Sequence, residues 1–96
     1  LDNEFKRFLG KSFKDEFTII KSEFSFAVGD DLSTLDVKFS HTGFINLLSV
    51  IPENEKRITQ KGWQFEKIIP LQSGCAFFRI SSPDKDSIFH IQFGNE

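Results

Sequence analysis

The chain holds one thiol, Cys75, and two imidazoles, His41 and His90. A thiolate activated by a neighbouring base is therefore the first chemistry to weigh. Such a dyad needs hydrogen-bond reach. The strand register derived below sets His90 opposite Arg79, four residues along the strand from Cys75, or about 13 Å at the usual rise per residue. Cys75 thus reads as a structural cysteine near a strand end. A zinc site needs three or four ligands of suitable type, and neither His-x3-His nor Cys-x2-Cys spacing occurs. Both histidines read as surface groups, and no metal or cofactor is expected.

Carboxylates cluster at Asp30-Asp31 and at Asp84-Lys85-Asp86. Adjacent strand residues point to opposite faces, so Gly29-Asp30-Asp31 reads as turn chemistry. The second cluster lacks the third acid, the central glycine and the closing glutamate of a calcium loop. No Gly-rich phosphate loop, Gly-x-Ser-x-Gly elbow or His-Glu-x-x-His pattern is present.

One constellation remains: Gln64, Glu66, Phe77, Arg79, His90 and Gln92, all expected on the polar face of a sheet. It combines a guanidinium, an imidazole, a carboxylate, two amides and one exposed ring, a composition suited to protein recognition.

The elements that must position these groups are marked by phenylalanine. Thirteen occur in 96 residues, with no tyrosine, no methionine and one tryptophan. Leu1, Phe5, Phe8 and Leu9 fall on one helical stripe, with Asp2 as N-cap and Gly10 as stop. Phe17 to Val28 and Leu32 to Ser40 form a hairpin. Pairing Phe26 with Leu35, Phe24 with Val37 and Ser22 with Phe39 gives it a single apolar face, and sets Glu23 opposite Lys38 on the other.

Ser40 or Thr42 caps a second helix whose apolar residues are Phe44, Ile45, Leu47, Leu48 and Ile51, ended by Pro52. Glu53 to Gly62 is a polar connection. Three more strands follow, Trp63 to Ile69, Cys75 to Ser82 and Ser87 to Phe93, the last two joined by Pro83-Asp84-Lys85-Asp86. Pairing Ile80 with Phe89, Phe78 with Ile91, Phe65 with Phe78 and Trp63 with Ile80 continues the apolar face. On the opposite face Arg79 then lies across from His90 and beside Gln64, while Phe77 lies across from Gln92 and beside Glu66.

The expected fold is α+β: residues 1–96 as one domain, an antiparallel sheet of about five strands in the order α-β-β-α-β-β-β, with two helices packed on one face. The expected core is Phe24, Phe26, Leu35, Val37, Phe39, Phe78, Ile80, Phe89 and Ile91, under Phe44, Leu48 and Ile51.

Twelve basic and fourteen acidic residues leave a formal net charge of −2, without the basic excess of a nucleic-acid binder. No apolar run approaches the roughly 20 residues of a membrane-crossing helix. The start at Leu1 rather than Met implies a chain lacking its native N-terminus, which leans the location toward a bacterial periplasm or envelope. The function expected is a small non-catalytic protein-interaction module, of a bacterial accessory, immunity or envelope kind, using the polar sheet face. The alternative is a small-molecule binder or minor enzyme with a Phe-lined pocket between helix and sheet.

Overall fold

A computed structural model describes residues 1–27, 30–83 and 87–96. The expected turn at Gly29 and the Asp84-Lys85-Asp86 loop lie outside the described residues. Helical segments and an antiparallel sheet are present as expected. The strands are β1 (Phe17–Ala27), β2 (Asp30–Phe39), β3 (Arg57–Thr59), β4 (Gly62–Pro70), β5 (Cys75–Ser81) and β6 (Ile88–Asn95). Their order across the sheet is β1-β2-β6-β5-β4-β3. β3 adds a sixth strand within what reads as a polar connection. Gly62, at φ 140°, turns the chain from β3 into β4 in a conformation open to glycine.

The first helix spans its expected stripe but is α-helical only in its first turn. α1 (Asp2–Glu4) passes directly into a π-helical turn, Phe5–Leu9, and Gly10 stops it in the left-handed conformation at φ 72°. Asp2 is not the cap. Its carboxylate accepts instead from Ser12 Oγ at 2.7 Å and from the Phe13 backbone N–H at 2.6 Å. This ties the chain back beneath the helical turn and buries Phe13, a core residue the stripe does not reveal. Partial burial opposes ionisation of Asp2, but these two hydrogen bonds, Lys6 and the N-terminal ammonium together hold its carboxyl below the ordinary 3.8.

α2 (His41–Val50) starts at Ser40, whose Oγ accepts from the Gly43 N–H at 3.1 Å. Phe44, Leu47 and Ile51 pack into the core at i, i+3 and i+7. Ile45 and Leu48 do not, being 52% and 37% exposed on the flank of the helix.

Both helical segments lie on one side of the sheet. Phe5 is the hub, touching the rings of Phe13, Phe17, Phe39 and Phe78 with centroids 4.8 to 6.0 Å apart. Phe8 stacks on Phe78, and Phe89 meets both Phe39 and Phe44. Leu35, Val37, Phe78, Ile80, Phe89 and Ile91 are buried beneath this layer as expected.

Every expected pairing is shifted along the strands. Ile80 faces Ile91 rather than Phe89, and Phe78 faces Phe93. Phe65 faces Ile80, and Lys67 faces Phe78. These are shifts of two residues, which preserve the face of every side chain. In the first hairpin the shift is four: Ser22 faces Leu35, Phe24 faces Ser33, Phe26 faces Asp31 and Glu23 faces Thr34. A bulge between Ile19 and Lys21 then changes the count, so that Ile19 faces Val37 and Phe17 faces Phe39.

The consequence overturns part of the expected core. Phe24 and Phe26 share the helix side of the sheet with Leu35, but they sit at the far end of the hairpin from the ring cluster. They are 66% and 75% exposed.

Candidate functional site

The side of the sheet away from the helices is built by alternation. Residues on each strand that flank core positions must point outward. Gln64 and Glu66 on β4, Phe77, Arg79 and Ser81 on β5, His90 and Gln92 on β6, and Thr34 and Asp36 on β2 therefore share one open face. The six residues singled out from sequence are all on it, but their neighbours differ from those expected.

Arg79 faces Gln92 and Glu66, not His90 and Gln64. Its Nε donates to Glu66 Oε2 at 2.8 Å, its Nη2 donates to the same oxygen, and its Nη1 donates to Gln92 Oε1 at 2.9 Å. The guanidinium carbon also lies 5.6 Å from the centre of the Phe77 ring, within cation–π range. Glu66 and Arg79 side chains are both about one-third exposed. Such a pair adds at most about 1 kcal/mol to stability, yet three side chains fix the guanidinium in one pose.

Phe77 is not an exposed ring. It is 5% exposed, in the cross-strand row Leu32, Gly94, Phe77 and Ile68. Gly94 is needed in that row, since a Cβ there would sit 2.1 Å from the Asp31 carbonyl oxygen. Phe77 therefore supports Arg79 from beneath and is not presented to solvent. Asp31 is structural as well, accepting from the Asn95 N–H at 2.9 Å and from Asn95 Nδ2 at 3.2 Å.

His90 faces Ser81 on β5 and Asp36 on β2. Its Nδ1 lies 2.7 Å from Asp36 Oδ1, an approach made when Nδ1–H donates to the carboxylate. Asp36, His90 and Ser81 thus form a row of acid, imidazole and hydroxyl across three strands. Ser81 Oγ accepts from Gln64 Nε2 at 3.4 Å. β5 lies between two ladders that take up its backbone donors, and the Ser82 N–H is spent on the Trp63 carbonyl at 2.9 Å.

Cys75 is opposite Pro70 at the start of β5, and His90 is opposite Ser81 at its end. Six residues of strand separate them by about 20 Å. His41, on α2, and His90 lie on opposite sides of the sheet.

Two grooves meet at Gln64. One, of about 630 Å³, is lined by Thr59, Lys61, Trp63, Ser81 and His90 among others. The second, of about 390 Å³, is lined by Glu55, Arg57, Glu66 and Arg79. On the same face, towards β1, Lys21 and Glu23 pair at 3.0 Å. The hydrogen bond and charge of Glu23 push the Lys21 ammonium above its ordinary value.

Of the partners that sequence reasoning missed, Asp36 depends on β2 lying beside β6, a pairing with no local signal in the chain, and Ser81 on the two-residue slip of the β5–β6 pairing. No helix among the described residues is long and apolar enough to cross a membrane. No protein-family model, curated protein or solved structure matches the chain.

Proposed function

We propose that this chain works by binding another protein, without catalysis, on the open polar face carrying Gln64, Glu66, Arg79, His90 and Gln92, with Phe77 beneath. The observation that carries the reading is the fixed guanidinium of Arg79 at the centre of that face. Arginine is among the residues that dominate binding energy at interfaces. One already held by Glu66, Gln92 and Phe77 loses little side-chain freedom on docking. Acid–base pairs around it give a mixed, nearly neutral surface, which suits a protein partner better than a polyanion.

The alternative, a ligand pocket between helix and sheet, has less behind it. Phe5 is fully buried against Phe13 and Phe78 there, and the two grooves at Gln64 are lined by Glu66, Arg79, Ser81 and His90 of the other face.

The test is affinity capture from the source organism with the intact gene product, compared with Arg79→Ala and Glu66→Ala. The reading predicts a partner retained by the wild type and lost from both variants, with circular dichroism unchanged. Equal capture by all three would remove this face from consideration.

A further inference from the structure

We propose that two copies of this chain pair through the free edge of β1, joining their sheets into one twelve-stranded sheet around a two-fold axis at Ser22. β1 is a terminal strand of the sheet, paired among the described residues only with β2. All ten residues from Thr18 to Ala27 are exposed. They include Ile19 at 44%, Ile20 at 54%, Phe24 at 66% and Phe26 at 75%. An edge this long and apolar is a template for another strand.

The sequence of β1 says which strand fits. A two-fold axis perpendicular to the sheet keeps each face on its own side, so opposed residues must share a face. The pairing with β2 puts Phe17, Ile19, Ser22, Phe24 and Phe26 on the helix side, and Thr18, Lys21, Glu23 and Ser25 on the other. Ile20 is the extra residue of the bulge. With Ile20 set aside, the strand is symmetric about Ser22 in both shape and chemistry.

On the polar side, Lys21 then faces Glu23 of the second copy and Thr18 faces its Ser25. On the helix side, Ile19 faces Phe24 of the second copy and Phe17 faces its Phe26. One register thus pairs opposite charges twice and apolar side chains four times, with no like charges opposed. Without the bulge, Ile19 and Phe17 would fall on the wrong face to meet the two phenylalanines. A bulge and a lysine commonly guard an edge against pairing, but here both are placed where self-pairing uses them. The arrangement does not depend on the polar face being a partner site.

The test is sedimentation equilibrium of the 96-residue chain in low salt. The proposal expects a mass approaching twice 11.1 kDa as concentration rises. Lys21→Glu alone and Glu23→Lys alone oppose like charges twice per dimer, and each should weaken association by roughly tenfold. Mixing the two variants restores complementarity and should yield a one-to-one heterodimer. Phe24→Lys, at an exposed position, should give a folded monomer.

A chain that stays monomeric to millimolar concentration overturns the proposal and leaves the edge to a strand of a different protein. Dimers indifferent to Phe24→Lys and to both charge variants overturn it too, as does open-ended aggregation without a dimer.

Discussion

β5 and β1 are both phenylalanine-bearing strands, yet one is the spine of the molecule and the other is bare. β5 carries Phe77 and Phe78 and buries four of its seven residues. β1 carries Phe17, Phe24 and Phe26 and buries none of its eleven. Composition does not separate them. Position does: β5 lies between β6 and β4, with Phe5 and Phe8 above it. β1 is at the rim, where its first residue, Phe17, meets Phe5 and the ten that follow are exposed. The lesson is that apolar alternation assigns a face to a side chain. Whether anything covers that face is decided by strand order and by where the helices end.

The comparison can be broken in several places. The largest effect is expected at Phe5, which is fully buried against four rings. Phe5→Ala should cost about 3–5 kcal/mol in a denaturant melt, and a loss below about 1 kcal/mol would mean that the helical layer does not seal the central strands. Next is Gly94→Ala, which forces a methyl into the Asp31 backbone and should cost about 1–3 kcal/mol. An unchanged melt would put the close approach of β2 to β6 in doubt.

Asp2→Asn should have a smaller effect with a distinctive pH dependence. The folded-state value of Asp2 is lowered, so its contribution is fully present above the ordinary 3.8 and is lost as pH falls through the lower folded value. The wild-type advantage over the variant should therefore be constant near neutrality and shrink only in acid. An advantage that grows with acid would contradict the Ser12 and Phe13 contacts. Smallest is Arg79→Ala, where an exposed ion pair is lost and stability should fall by no more than about 1 kcal/mol. A larger loss would make Arg79 a support for the sheet rather than a group held ready for a partner.

The sequence reading succeeds and fails along the same line. Faces in β4, β5 and β6 are legible because alternation is conserved under a two-residue slip. The contacts of Arg79 are not legible, because the same slip replaces His90 with Gln92 and Gln64 with Glu66. In the first hairpin, pairing rings with apolar residues and Glu23 with Lys38 looks self-consistent. The bulge at Ile20 defeats it by letting Phe17 and Ile19 take the places opposite Phe39 and Val37. Ser40 and Gly10 mark helix ends correctly because capping is local. The Asp36–His90 contact joins residues 54 positions apart and depends on a strand pairing that no local pattern announces.

The contrast between the sealed centre and the bare rim is tested most directly by urea melts of Phe78→Ala and Phe24→Ala side by side. Melts repeated at falling protein concentration, down to where the midpoint no longer changes, keep self-association from contributing. Phe78 is fully buried and Phe24 is 66% exposed. The account predicts a loss of about 3–5 kcal/mol for Phe78→Ala and a change within about 0.5 kcal/mol for Phe24→Ala. Comparable losses at the two positions would place Phe24 in the core and contradict both the hairpin register and the exposed edge built on it.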